Sequence, residues 1–168
     1  PGPVRLPKRG SLGPEGTVAS LYLGQLVPCG VDAMAEAVAL VAAGKAARTE
    51  QQHELATYEP PCRDEHARLR WYEPGERLHA LIRGCNPQPG AWTMHNGEKL
   101  RFFDVRLLDT LAPGMPGRVL AVEESGFDVR LNGGRVLRVL RVQHGSGKKA
   151  PAGEWAASAG LTPGYRFR

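Results

Sequence analysis

The sequence predicts an α+β chain, a strand-and-helix piece followed by a small β-barrel of about five short strands. Three observations carry this reading. Apolar residues recur at helical spacing within residues 17–44. Periodicity disappears over residues 45–61, and short extended runs separated by Gly, Asn and Pro turns fill the rest. A chain of 168 residues can hold one core of ordinary size or two small ones.

Residues 1–8 alternate weakly through Val4 and Leu6, as a short strand in need of partners would, and residues 10–14 read as a turn. Thr17 offers an N-cap. Val18, Leu21 and Tyr22, then Val31, Met34, Val38 and Val41, repeat at helical spacing up to Gly44, which suits the C′ position. Pro28 and Gly30 are expected to kink or split this element into two segments. Residues 45–61 collect charged, Gln and Pro residues in the manner of a surface linker, which places a domain boundary there.

Beyond the boundary, residues 67–71 alternate like a strand, and Pro74 sits at the first turn of a helix with Leu78, Leu81 and Ile82 on one face, ended by Gly84. Residues 99–108, 118–122, 127–131 and 135–142 read as strands. Turns at Asn96-Gly97, Pro113-Gly114, Pro116-Gly117, Ser125-Gly126 and Asn132-Gly133-Gly134 separate them. Arg135, Arg138 and Arg141 recur every third residue, which the two faces of a strand cannot sort, so a bulge or an edge position is expected. Residues 152–159 suit a last short helix and residues 160–168 a polar tail.

Net charge is +5 and the isoelectric point about 9.4. The arginines are dispersed, so anionic partners such as nucleic acid, folate or phosphate are open without being required. Cys29, Cys62 and Cys85 stand far apart with no CxxC pair and no His at metal spacing, so neither a metal site nor a disulfide framework is suggested, and a cytoplasmic setting is expected. The longest apolar stretch, around residues 31–43, is interrupted by Asp32 and Glu36 and is too short to cross a bilayer, so no membrane is expected. Pro1-Gly2-Pro3, without an initiator Met, reads like the middle of a longer protein.

None of the five His residues has an evident set of catalytic partners. His79 lies within the helix of Leu78 and Leu81, His95 beside the Asn96-Gly97 turn, and His53 and His66 in polar segments, so surface or packing roles are expected. His144-Gly145-Ser146-Gly147-Lys148-Lys149 is Gly-rich and basic: its backbone N–H groups and two ammonium groups could meet a phosphate. It lacks the strand-GxxxxGK[ST]-helix context of a P-loop, and a mobile hairpin tip is the equal alternative. Trp71, Trp92, Phe102 and Phe103 form either core or a stacking platform for bases.

Ile82-Arg83-Gly84-Cys85-Asn86-Pro87-Gln88-Pro89-Gly90-Ala91-Trp92-Thr93, preceded by Trp71 and the short helix, is followed by Lys99-Leu100-Arg101-Phe102-Phe103, by Pro116-Gly117-Arg118-Val119 and by the Gly-Lys-Lys at 147–149. Over residues 58–155 this order resembles the C-terminal domain of folate-dependent formyltransferases, the family of methionyl-tRNA formyltransferase and of the hydrolase domain of 10-formyltetrahydrofolate dehydrogenase. Upstream, Gly13-Pro14-Glu15-Gly16-Thr17 leading into Leu21-Tyr22 and residues 30–44 resembles the end of that family's N-terminal transferase domain.

The resemblance implies that residues 1–44 are the C-terminal remnant of a Rossmann-like formyltransferase domain, residues 45–61 a linker, and residues 62–168 an OB-like barrel domain. It implies 10-formyltetrahydrofolate as co-substrate, bound mainly by the missing N-terminal half of the same protein, with no metal. Formyl transfer needs an amine nucleophile, a general base and donors for the oxyanion. The family's Asn, His and Asp for this would fall ahead of Pro1, so the chain itself is expected to hold no catalytic residue and to be inactive alone.

Arg83 at the helix end and Asn86 before Pro87 are candidates to join the barrel to the transferase domain, because the two prolines stiffen the loop; Arg83 capping the last helical carbonyls is the alternative. With Lys148 and Lys149 they are the acceptor or interdomain candidates. Methionyl-tRNA, that is initiator tRNA, is the first-choice acceptor, with a small amine as the other. A second reading, hydrolysis of 10-formyltetrahydrofolate, is favoured by Thr57-Tyr58-Glu59 and Pro89-Gly90-Ala91-Trp92-Thr93. A third, a non-catalytic RNA-binding OB-like module, is disfavoured because the helical region at 17–44 serves no purpose beside an isolated barrel. If residues 1–44 are ordered alone, exposed apolar surface is expected on them, and with it self-association or a complementing N-terminal fragment.

Overall fold

Thr17 opens the first helix. Its hydroxyl accepts the N–H of Ser20, and the Ser20 hydroxyl accepts the N–H of Thr17, closing a capping box. From there the computed structural model, which describes residues 2–168, carries one unbroken helical run. It consists of α1 (Val18–Leu21), a π-helical turn (Tyr22–Leu26) and α2 (Val27–Ala42). Gly44 follows at φ +67°, the left-handed conformation that suits a C′ glycine.

The expected split at Pro28 does not occur. Pro28 lies in the first turn of α2, directly after the π turn, whose wider winding takes up a missing N–H without ending the helix. The run Val18–Ala42 is therefore 25 residues long, with a mean hydropathy of 1.4 over its most apolar window and none of that window buried. This corrects the expectation drawn from residues 31–43: by length and composition the helix is sufficient to cross a bilayer. A helix that packs on a protein partner meets the same criterion.

Pro1, where the expected first strand begins, lies outside the described residues. What remains of that strand is a single antiparallel bridge between Val4 and Thr49, with N–H···O distances of 2.9 and 3.0 Å. A Lys8–Glu36 ion pair of 2.9 Å links the same segment to α2. The chain divides into two compact units at Pro61 and Cys62.

In the second unit the strand expected at 67–71 shrinks to one parallel bridge, Arg68 to Trp92, with the Leu69 N–H donating to the Trp92 carbonyl at 2.7 Å. Helix α3 (Gly75–Gly84) then buries Leu78, His79 and Ile82. Strand β1 (Ala91–His95) has no counterpart among the expected elements. It turns at Asn96 (φ +49°) and Gly97 (φ +84°) into β2 (Glu98–Leu111), a two-residue hairpin that needs both positive φ values. β3 (Val119–Glu123), β4 (Gly126–Arg130), β5 (Arg135–His144) and the short β6 (Ala150–Pro151) follow, and α4 (Ala152–Ser158) ends the helices.

The strand order is β1-β2-β5-β4-β3, antiparallel throughout, with β6 pairing β5 beyond the end of β4. It is an open sheet with β1 and β3 as its end strands, where a small OB-like barrel was expected. Residues 160–168, expected to be a polar tail, supply what lies beyond β3. The Val119 N–H donates to Tyr165 O, and the Phe167 N–H to Gly117 O. The Phe167 ring is wholly buried among Trp71, Phe102 and Phe127, with ring centroids 5.7 to 6.0 Å away. Trp71, Trp92, Phe102 and Phe103 are all buried, so they are core and not a stacking platform.

β5 is the central strand, not an edge. Its arginines are tolerated there because each finds a carboxylate on a neighbouring element: Arg135 with Asp109 at 2.9 Å, Arg138 with Asp128 at 2.7 Å, and Arg141 with Asp104 at 3.0 Å. The expected irregularity is present but lies opposite, as a register shift between Leu108 and Leu111 of β2.

Candidate functional site

Alternation along β2 puts Lys99, Arg101 and Phe103 on one face, and Gln143 of β5 pairs with Arg101. This face forms the floor of a groove of about 1030 Å³. One wall is the loop after α3, where Pro87, Gln88 and Pro89 line the groove and both X-Pro bonds are cis. The opposite wall is the turn after β5, with Gly145, Ser146 and Lys149, and Cys62 and Asp64 close the rim.

The electrostatics are mixed but net cationic. Asp64 accepts from Lys99 and, at 3.4 Å, from Arg101. The Lys99 ammonium first, and the other cationic charge with it, hold the Asp64 carboxyl below the usual carboxylate range. The Lys149 ammonium adds a third cation, 3.7 Å above the face of the buried Phe103 ring, and with Glu98 as the second carboxylate of the lining one cation is left in excess. Lys99 also lies over Trp92, 4.4 Å from the ring centroid. The groove thus offers positive charge on rigid aromatic supports, chemistry suited to anionic groups.

Of the expected site residues, Lys149 lines this groove and Lys148 lines a smaller cavity of about 410 Å³ beside it, together with His95, His144 and Trp155. Arg83 and Asn86 are not in the groove lining. Arg83 occupies the last turn of α3, with its Nε buried and without a partner, and the half-buried Asn86 precedes the loop whose next three residues form the wall. Lys99, Arg101 and Asp64 escaped the sequence reading as site residues. The Lys-x-Arg alternation on a strand was the available signal for the first two; nothing local marks Asp64.

His95 and His79 take packing roles, as expected. His95 is buried between His144, Trp155 and Tyr165, with centroids 5.1 to 5.5 Å apart. Burial first, then the neighbouring His144, lower its pKa below the ordinary 6.5. Among the described residues, no group of three or more His, Cys, Asp or Glu side chains comes together to hold a metal.

Residues 62–160 match the family model described as "Formyl transferase, C-terminal domain". The chain is 35% identical to a methionyl-tRNA formyltransferase of Moorella thermoacetica over 163 residues, which is 97% of this chain and 52% of that protein. It is 39% identical to a mitochondrial 10-formyltetrahydrofolate dehydrogenase of Mus musculus over 168 residues, 96% of this chain and 18% of that one. It therefore spans about half or less of these relatives. In fold it is similar to HypX from Aquifex aeolicus in complex with tetrahydrofolic acid, with a TM-score of 0.70 and 19% identity, over 92% of this chain and 27% of that chain. The family model covers more than half of the sequence, and the chain belongs to the formyl transferase family, whose C-terminal domain it carries.

Proposed function

We propose that this chain is the acceptor-binding part of an enzyme that moves a formyl group from 10-formyltetrahydrofolate to an amine, with methionyl-tRNA as the first-choice acceptor. In that reaction the amine nitrogen attacks the formyl carbon, the bond to the folate N10 breaks, and the amine proton passes to a base. Donor binding and the proton transfer are assigned to the rest of the parent protein, and residues 1–44 to the end of its transferase domain. The groove assigned here binds and orients.

The observation that carries this reading is the cationic floor and wall, Lys99, Arg101 and Lys149, within the family-matched unit. A phosphate-bearing acceptor would meet three cations less two carboxylates there, Asp64 and Glu98, and neutralising its charge would make binding salt-dependent. A second reading, hydrolysis of 10-formyltetrahydrofolate with water in place of the amine, is favoured by the 39% identity to the dehydrogenase.

The test is formyl release from 10-formyltetrahydrofolate by the full-length parent, followed by absorbance with and without methionyl-tRNA. Release that requires the tRNA supports transfer to tRNA, and release without it supports the hydrolase. No release in either case rejects both and turns attention to a small amine.

A further inference from the structure

Cys62 and Cys85 are 23 residues apart in sequence, yet their sulfurs stand 3.7 Å apart. Cys62 is exposed at the rim of the groove, and Cys85 is the buried C-cap of α3. We infer that Cys62 and Cys85 form a modification site at which an anionic low-molecular-weight disulfide of the glutathione type is reduced while the two thiols are joined.

The geometry divides the roles. Cys62 is the sulfur a reagent can reach, and it lies on the groove that Lys99, Arg101 and Lys149 make attractive to a carboxylate-bearing peptide. Its thiolate attacks one sulfur of the reagent, the reagent's S–S bond breaks, and one thiol leaves, carrying a proton. The mixed disulfide then sits within reach of Cys85. Loss of the Cys85 proton and attack on Cys62 Sγ expel the second thiol, so one small disulfide becomes two thiols and the protein gains one disulfide. A disulfide needs its sulfurs about 2.05 Å apart, so the pair must close by roughly 1.7 Å.

Burial first, then the Cys62 thiol beside it, push the Cys85 thiol up to about 12. Attack by Cys85 therefore accelerates as pH rises. The product ties the first residue of the second unit to the end of α3, next to the Pro87-Gln88-Pro89 wall, and so fixes one rim of the groove. Cys29 lies on α2 and serves as the internal control.

The test is to incubate the chain with oxidised glutathione at pH 7 and pH 8.5, quench with acid, alkylate and map the cysteines by mass spectrometry. The expected result is a fall from three free thiols to one, with a Cys62–Cys85 linked peptide, Cys29 still alkylated, faster closure at the higher pH, and full reversal by dithiothreitol. Cys85→Ser is expected to stop at the Cys62–glutathione adduct, and Cys62→Ser to form neither adduct nor bridge. The same oxidation in 8 M urea, about the strength that unfolds small domains, is expected to scramble the pairing across all three cysteines. A persistent Cys62 adduct in the unsubstituted chain overturns the proposal. So does an unmodified pair, or a native pairing no more selective than the unfolded one.

Discussion

Lys149 can be tested as a binding residue because its ammonium rests on a buried aromatic ring and carries no part of the core. Lys149→Ala in the full-length parent should raise KM for a phosphate-bearing acceptor by about tenfold, the effect of one strong phosphate contact at moderate salt, with kcat nearly unchanged. A fall in kcat at constant KM would assign Lys149 to something other than binding. His95 makes a prediction about pH. Its folded pKa lies below 6.5, so above pH 6.5 both folded and unfolded states hold it neutral and it has no effect. As pH falls through 6.5 the unfolded chain takes up a proton that the folded chain refuses, and stability declines until the lower folded pKa is passed. The groups that face the ring are His144, Trp155, Tyr165 and Phe167, and Glu98 stands 3.6 Å from His144. Melting midpoints from pH 7.5 to 5 should drop, and His95→Phe should flatten the drop; an unchanged slope would place the titrating group elsewhere. At this scale the sequence marked Lys149 through its Gly-Lys-Lys run. It did not mark Asp64, Cys62 or Cys85, because their partners are 23 to 37 residues away and only the fold brings them together.

The C-terminal tail and the central strand are the elements where composition misled. Residues 160–168 hold two Arg, one Tyr and one Thr against only Leu161 and Phe167 as apolar anchors, which reads as a polar tail, yet Phe167 fills the middle of an aromatic cluster. Phe167→Ala removes a ring in contact with Trp71, Phe102, Phe127 and Tyr165 and should cost about 3–5 kcal/mol, read as a lowered denaturant midpoint at constant slope. A loss below about 1 kcal/mol would mean that the tail is not part of the core. β5 was misread for the opposite reason: its three arginines looked incompatible with a central position, and the carboxylates that accept them lie on β2 and β4 or just beside them. Asp128 is nearly buried and holds Arg138 through both its oxygens, at 2.7 and 2.8 Å. Asp128→Ala should therefore destabilise by about 2 kcal/mol, the cost of leaving a half-covered guanidinium without its main acceptor. Stability equal to the unsubstituted chain would show that Glu123 alone is enough. Turn chemistry and alternation made β2 to β5 legible to within three residues at each end. β1 was missed because its hairpin turn was recognised without the strand that must precede it, a five-residue run whose Trp, Thr and Met are buried on both faces or nearly so and show no clean alternation.

For the whole molecule, the unanswered surface is the long N-terminal helix. Val31, Met34, Val38 and Val41 stand at spacings of three, four and three on one side of α2 and are 58% to 67% exposed, while Val18, Tyr22, Leu23 and Leu26 extend the apolar surface toward the start of the run. Exposed apolar residues of this number are more than a soluble monomer usually leaves uncovered on a single helix. In the proposed parent, the remaining strands of the transferase domain would cover them. In this chain alone the surface must meet water, a second copy or a lipid surface, and the sequence reading anticipated the second. Light scattering of the purified chain should give a mass that rises with concentration, and Val31→Glu with Val38→Lys should return it to one chain without changing the melting midpoint of the second unit. If the chain is a monodisperse monomer at all concentrations, self-association is excluded. If it instead floats with neutral phosphatidylcholine vesicles, and the paired substitutions abolish flotation, the helix is a lipid-binding element and the assignment of residues 1–44 to a transferase domain fails with it.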